Sequence, residues 1–148
     1  MENDIEMRIV NFFKYNHHKK ITLEAYWFSA IYRICILLVK PERLRRYWGI
    51  EGEESPETEE MEIYRYARSV SRIVDHVCNK TVWESKCLVR ALTAQHLLKK
   101  KHIPSTLYLG CSVIEGEMTA HAWLRCGEMY VTGGNGSGYA IVDRFFAK

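Results

Sequence analysis

Cys87 and His121 are the two residues whose types and surroundings best fit covalent chemistry. Cys87 closes the run Trp83-Glu84-Ser85-Lys86-Cys87, and Leu88, Ala91, Leu92, Ala94, Leu97 and Leu98 follow it at helical spacing, so its sulfur falls at the start of a predicted helix. Backbone N–H groups at a helix start carry partial positive charge, which favours the thiolate that a cysteine nucleophile needs. His121 lies in Ala120-His121-Ala122-Trp123, which predicts a strand with His121 and Trp123 on one face and the two alanines on the other. If the sheet packs against the helix start, His121 is placed to take the thiol proton and return it to a leaving amine. Taken singly, a cysteine and a histidine are more often a buried thiol and a structural imidazole, so the flanking residues have to sharpen the reading.

Three helical patterns lead up to the strand that bears His121. Leu23, Tyr26, Trp27, Ala30, Ile31, Ile34 and Leu38 predict a long helix, capped near Thr22 and ended before Pro41, with Arg43, Arg45 and Arg46 close to the negative end of its dipole. Glu24 and Arg33 fall inside this apolar stretch, and their cost in lipid favours a buried core helix over a membrane span. Ile63, Tyr66, Ala67, Val70, Ile73, Val74 and Val77 predict a second helix, and Cys87 to His102 a third, ended by three lysines suited to a helix C-terminus. Ile9, Val10, Phe12 and Phe13, with the polar run Asn16 to Lys20, fit a short helix or strand and then a loop. Between Glu51 and Glu62 seven glutamates crowd around Gly52, Ser55 and Pro56, a composition that reads as a solvated, mobile linker.

Beyond Pro104 the pattern changes to short β-rich runs: Thr106 to Val113, Thr119 to Cys126, Met129 to Thr132 and Tyr139 to Phe146. Helices first and strands second predict an α+β fold, with N-terminal helices packed on a C-terminal antiparallel sheet. At 148 residues the chain suits a single domain, residues 1–80 forming its helical part and 81–148 the third helix with the sheet.

Composition narrows the function classes. A formal charge of +3, spread among acidic residues, gives no electrostatic case for nucleic acid or an anionic membrane. Five cysteines at 35, 78, 87, 111 and 126, without CxxC spacing, argue against a disulfide framework and a thiolate zinc site. The remaining histidines, 17, 18, 76, 96 and 102, show no ligand spacing, so no metal or cofactor is expected. Reduced thiols, and an acidic start without the order of a secretory signal, point to the cytoplasm.

The run Trp83 to Ala91, Leu97-Leu98, Ile103-Pro104, Leu107 to Gly110 and Ala120-His121-Ala122-Trp123 resembles the leader peptidases of lasso-peptide biosynthesis, whose core is transglutaminase- and papain-like. The resemblance is strong from Trp83 to Asn135 and weaker upstream. It implies a cysteine endopeptidase with Cys87 as nucleophile and His121 as base, cutting a precursor between leader and core. It also implies a separate leader-recognition protein as partner and an ATP-dependent cyclase acting next. For the oxyanion, the Cys87 backbone N–H is the first donor, and the likeness to transglutaminases suggests the Trp83 indole N–H as a second.

The chain departs from the family pattern at one place. The family carries an Asp on the strand after the His, and here Gly133 stands at that position. A hairpin turn at Gly127-Glu128 would bring residues near Gly133 and Gly134 opposite His121, making Asn135 the nearest polar side chain that could serve as a papain-like third member, with Asp143 on the last strand as second candidate. Two other activities stay open: an acyl transferase or amidase using the same Cys–His pair, and an inactive peptide-binding scaffold.

Overall fold

The fold is described by a computed structural model covering residues 2–15 and 18–148. Helix α1 spans Glu2–Tyr15 and settles the opening segment as helix; of the loop expected after it, Asn16 and His17 lie outside the described residues. Helix α2, Lys19–Leu38, begins before the expected cap: Thr22 sits inside the first turn and its hydroxyl donates to His18 O at 3.0 Å. Helix α3, Pro41–Leu44, opens on Pro41 and a 3₁₀ turn follows at Arg45–Tyr47. Strand β1, Ile50–Glu51, precedes α4, Met61–Cys78, and α5, Cys87–Lys99. The sheet is completed by β2 (Ser105–Ile114), β3 (Glu117–Cys126), β4 (Met129–Thr132) and β5 (Ala140–Ala147). All pairings are antiparallel and the order is β1-β5-β2-β3-β4, which establishes the α+β class.

Strand alternation divides the sheet into two faces. Leu107, Ala122, Leu124, Cys126, Val131 and Phe145 form one core with Ala67, Val70, Val74 and Val77 of α4 and Ala91, Leu92 and Leu98 of α5. Each fully buried leucine there contributes about 2 kcal/mol. The opposite face bears Thr106, Tyr108, Gly110, His121, Trp123 and Arg125, related pairwise by the β2–β3 register.

This second face is where the glutamate-rich segment lies; it is solvated as expected except at Ser55 and Glu59, but it is also anchored to the sheet. Ser55 is buried, its N–H donating to Thr106 Oγ1 at 2.7 Å and its hydroxyl pairing with the same oxygen at 2.8 Å. Arg125 donates to Ser55 O (3.1 Å) and Pro56 O (3.2 Å), while Tyr108 Oη donates to Glu54 at 2.7 Å. Composition alone hid this, because the anchors come from strands fifty and more residues downstream.

Helix α2 also departs from expectation. Its buried residues are Thr22, Ala25 and Ser29, whereas Leu23, Trp27, Ile34, Leu37 and Leu38 are exposed. The small and hydroxyl-bearing side of the helix is the buried one, Tyr26, Tyr32 and Ile36 pack partly against the core beside it, and the rest of the apolar surface faces outward. By length and composition alone α2 is long and apolar enough to cross a membrane. Of the arginines after it, Arg45 pairs with Asp143 and with Glu51 (3.2 Å). At the end of α5, Lys100 bridges to Glu24 of α2 at 2.8 Å.

Candidate active site

Cys87 is the first residue of α5, after an extended Lys86, so its N–H belongs to the first turn, where donors lack intrahelical acceptors. The half-buried thiol is unpaired by disulfide. The loop before it is held by Arg90, one turn into the helix, whose guanidinium donates to Ser85 O (2.9 Å), Asn79 Oδ1 (2.7 Å) and Asp75 (3.3 Å). Thr81 tightens the same loop, donating to Trp83 O at 3.0 Å and pairing with Ser85 Oγ at 2.8 Å. Within it the Trp83 indole Nε1 is buried and has no hydrogen-bond acceptor. An unanswered buried donor costs about 1–3 kcal/mol, and here it lies four residues from the candidate nucleophile.

His121 sits on the face of the sheet that turns away from α5, in a three-ring cluster with Tyr139 (centroids 4.9 Å apart) and Trp123 (5.8 Å), which also adjoin each other. Its Nε2 is 2.7 Å from Gly133 O. A carbonyl oxygen only accepts, so this contact places the proton of the neutral ring on Nε2 and leaves Nδ1 with the lone pair.

The structure does not bring Cys87 and His121 into contact. Cys87 packs against the core that includes Ala122, whereas His121, by strand alternation, is on the opposite face, so the sheet lies between the two side chains. No hydrogen bond joins Cys87 Sγ to the imidazole. At His121 β3 is an edge strand, because β4 pairs only with Leu124 to Cys126.

Neither expected third residue reaches the histidine. Asn135 is exposed and its Oδ1 accepts the Ser137 N–H at 3.0 Å, a turn role within the glycine-rich loop. Asp143 pairs across from Leu109 of β2, a strand removed from His121, and its carboxylate is held by Arg45 and by the Arg144 N–H (2.8 Å). Arg90, Tyr139 and the Gly133 carbonyl were not singled out by the sequence; only the nearness of Arg90 to Cys87 gave a signal. Among the described residues no three metal-ligating side chains converge.

A cysteine opening a helix that packs on an antiparallel sheet, with a histidine on a strand of that sheet, is the framework of the cysteine peptidases and acyl transferases. The chain belongs to the transglutaminase-like superfamily, whose profile matches residues 37–143 and so takes in Cys87, His121 and Gly133. No curated protein and no solved structure matches it.

Proposed function

We propose that this chain is a cysteine endopeptidase that cuts a lasso-peptide precursor between leader and core, with Cys87 as nucleophile and His121 as base. The observation that carries the reading is the pairing of Cys87, at the first position of α5, with the buried and unanswered Trp83 N–H. Thiolate attack on the scissile carbonyl would form a tetrahedral oxyanion within reach of the Cys87 and Trp83 N–H groups. His121, carrying the thiol proton, gives it to the departing amine, and the core peptide leaves with a free amino end. Water, deprotonated by the same imidazole, then hydrolyses the thioester and releases the leader as a carboxylate. The reaction requires a Cys–His contact in the peptide complex, because the two side chains lie on opposite faces of the sheet here. A separate leader-recognition protein delivers the precursor, and an ATP-dependent cyclase consumes the product, in the cytoplasm.

The missing hydrogen bond between Cys87 and His121 favours a second reading, a peptide-binding scaffold that has kept the fold without the reaction. The two separate on mass-spectrometric analysis of a leader–core precursor incubated with the chain and its recognition protein. A single cut at the junction, lost in Cys87→Ala and in His121→Ala, supports the peptidase. Binding without cleavage by the unaltered chain supports the scaffold, and leader–amine adducts formed with an added primary amine would shift the reading to acyl transfer.

A further inference from the structure

We propose that the backbone carbonyl of Gly133 is the group that orients His121, doing with a peptide dipole what a third catalytic side chain would do with an amide or a carboxylate. The inference rests on the peptidase reading and specifies how its base is held. Gly133 O accepts from Nε2 at 2.7 Å, which fixes one tautomer and leaves Nδ1 as the nitrogen able to take a proton. Tyr139 and Trp123 both pack against the ring, so its packing contacts and its proton are supplied by separate groups.

The carbonyl reaches this position because residue 133 is glycine. Its φ is +75°, a conformation that side-chain-bearing residues rarely adopt, and a Cβ there would stand 2.5 Å from Ala122 O and 2.8 Å from Trp123 Cβ. The first of these contacts is with backbone, which cannot turn aside. The close approach of the 133 segment to β3 therefore excludes a side chain at 133 and supplies the oxygen instead. The polar side chains that might have served are engaged elsewhere, Asn135 by Ser137 and Asp143 by Arg45. Gly133 is a positioning residue, since it acts on the reaction only through the imidazole.

Two measurements test this. Long-range ¹H–¹⁵N correlation spectra of the intact chain, taken where the imidazole is neutral, should show His121 protonated at Nε2; an Nδ1–H form, or rapid exchange between the two, overturns the proposal. The second uses a chain assembled by ligation at Cys126, with an ester replacing the Gly133–Gly134 amide to weaken this one acceptor without adding bulk. The exchange also removes the Gly134 N–H, which has no acceptor among the described residues. Turnover should fall by roughly 3- to 10-fold with KM unchanged, as expected for loss of part of one hydrogen bond, and the Nδ1–H form should become detectable. Unchanged turnover and tautomer in the ester chain overturn the proposal. An Nδ1–H tautomer in an active wild-type chain removes the role of Gly133 and leaves the peptidase standing, whereas an inactive wild-type chain removes the peptidase reading whatever the tautomer.

Discussion

Cys87 and His121 stand on opposite faces of the sheet, the thiol at the start of α5 and the imidazole hydrogen-bonded to Gly133 in the loop that follows β4. The two are therefore reached by different sets of neighbours.

That separation makes thiol reactivity informative. Burial raises the Cys78 thiol, and burial, with Glu59 adding to it, pushes Cys126 up to about 11. At pH 8 only about one Cys126 side chain in a thousand is thiolate. Under native conditions iodoacetamide should modify Cys87 first and Cys78 and Cys126 last, as read by peptide mapping. Equal labelling of Cys87 and Cys126 would contradict this order.

Arg90 braces the loop that carries Trp83. Arg90→Ala should cost about 1–3 kcal/mol through three lost donors, seen as a lower urea midpoint, and should reduce turnover further than Arg90→Lys reduces it. A Lys keeps the charge but not the fork that reaches Ser85, Asn79 and Asp75 together. Activity that is indifferent to both changes would show that the loop needs no brace.

The buried pair Ser55–Thr106 holds the acidic segment to the sheet. Thr106→Val preserves the volume and leaves a buried N–H and hydroxyl without a partner, at a cost of about 2–3 kcal/mol. Amide hydrogen exchange should quicken across residues 53–57 and stay slow in α4. Uniform quickening throughout the chain would mean that the anchor stabilises the whole fold rather than this segment.

His96 predicts an acid sensitivity. Burial, with Lys100 next, lowers its proton affinity, and its Nδ1 accepts from Tyr32 Oη at 3.1 Å; Tyr32 itself is pushed up to about 12 and keeps its proton. In the unfolded chain the imidazole binds a proton near pH 6.5, above the value at which the folded form does. The contribution to stability is therefore complete above that pH and is lost as pH falls towards the lowered folded value. His96→Gln retains an acceptor for Tyr32 and should flatten the fall in the urea midpoint between pH 7.5 and 5.5. Parallel curves for the two proteins would exclude the assignment.

Much of this architecture was legible because its signals were local. Apolar spacing identified α4 and α5, alternation found the four long strands to within two residues at each end, and the run around Cys87 placed the thiol on the first residue of its helix. What escaped were relations set by distant partners. Leu23 and Trp27 have the spacing of a core stripe, yet tight packing at Ala25 and Ser29 turned the other side inward. Ser55 looks solvated until Thr106 and Arg125 are opposite it. The alternation of His121 and Trp123 was read correctly, but which face met α5 depended on the core around Leu124. The partner of His121 was illegible for another reason: every residue possesses a backbone carbonyl, so no residue type announces that one of them is in use.

The stacking of Trp123 beside His121 and Tyr139 also makes the site an optical reporter. A protonated imidazole quenches a neighbouring indole, so the emission of Trp123 should dim as His121 gains its proton. With Trp27, Trp48 and Trp83 replaced by phenylalanine, equilibrium fluorescence would follow the charge of His121 without a label. Emission that ignores pH in this single-tryptophan chain, yet responds to denaturant, would show that the two rings do not share the close packing seen here.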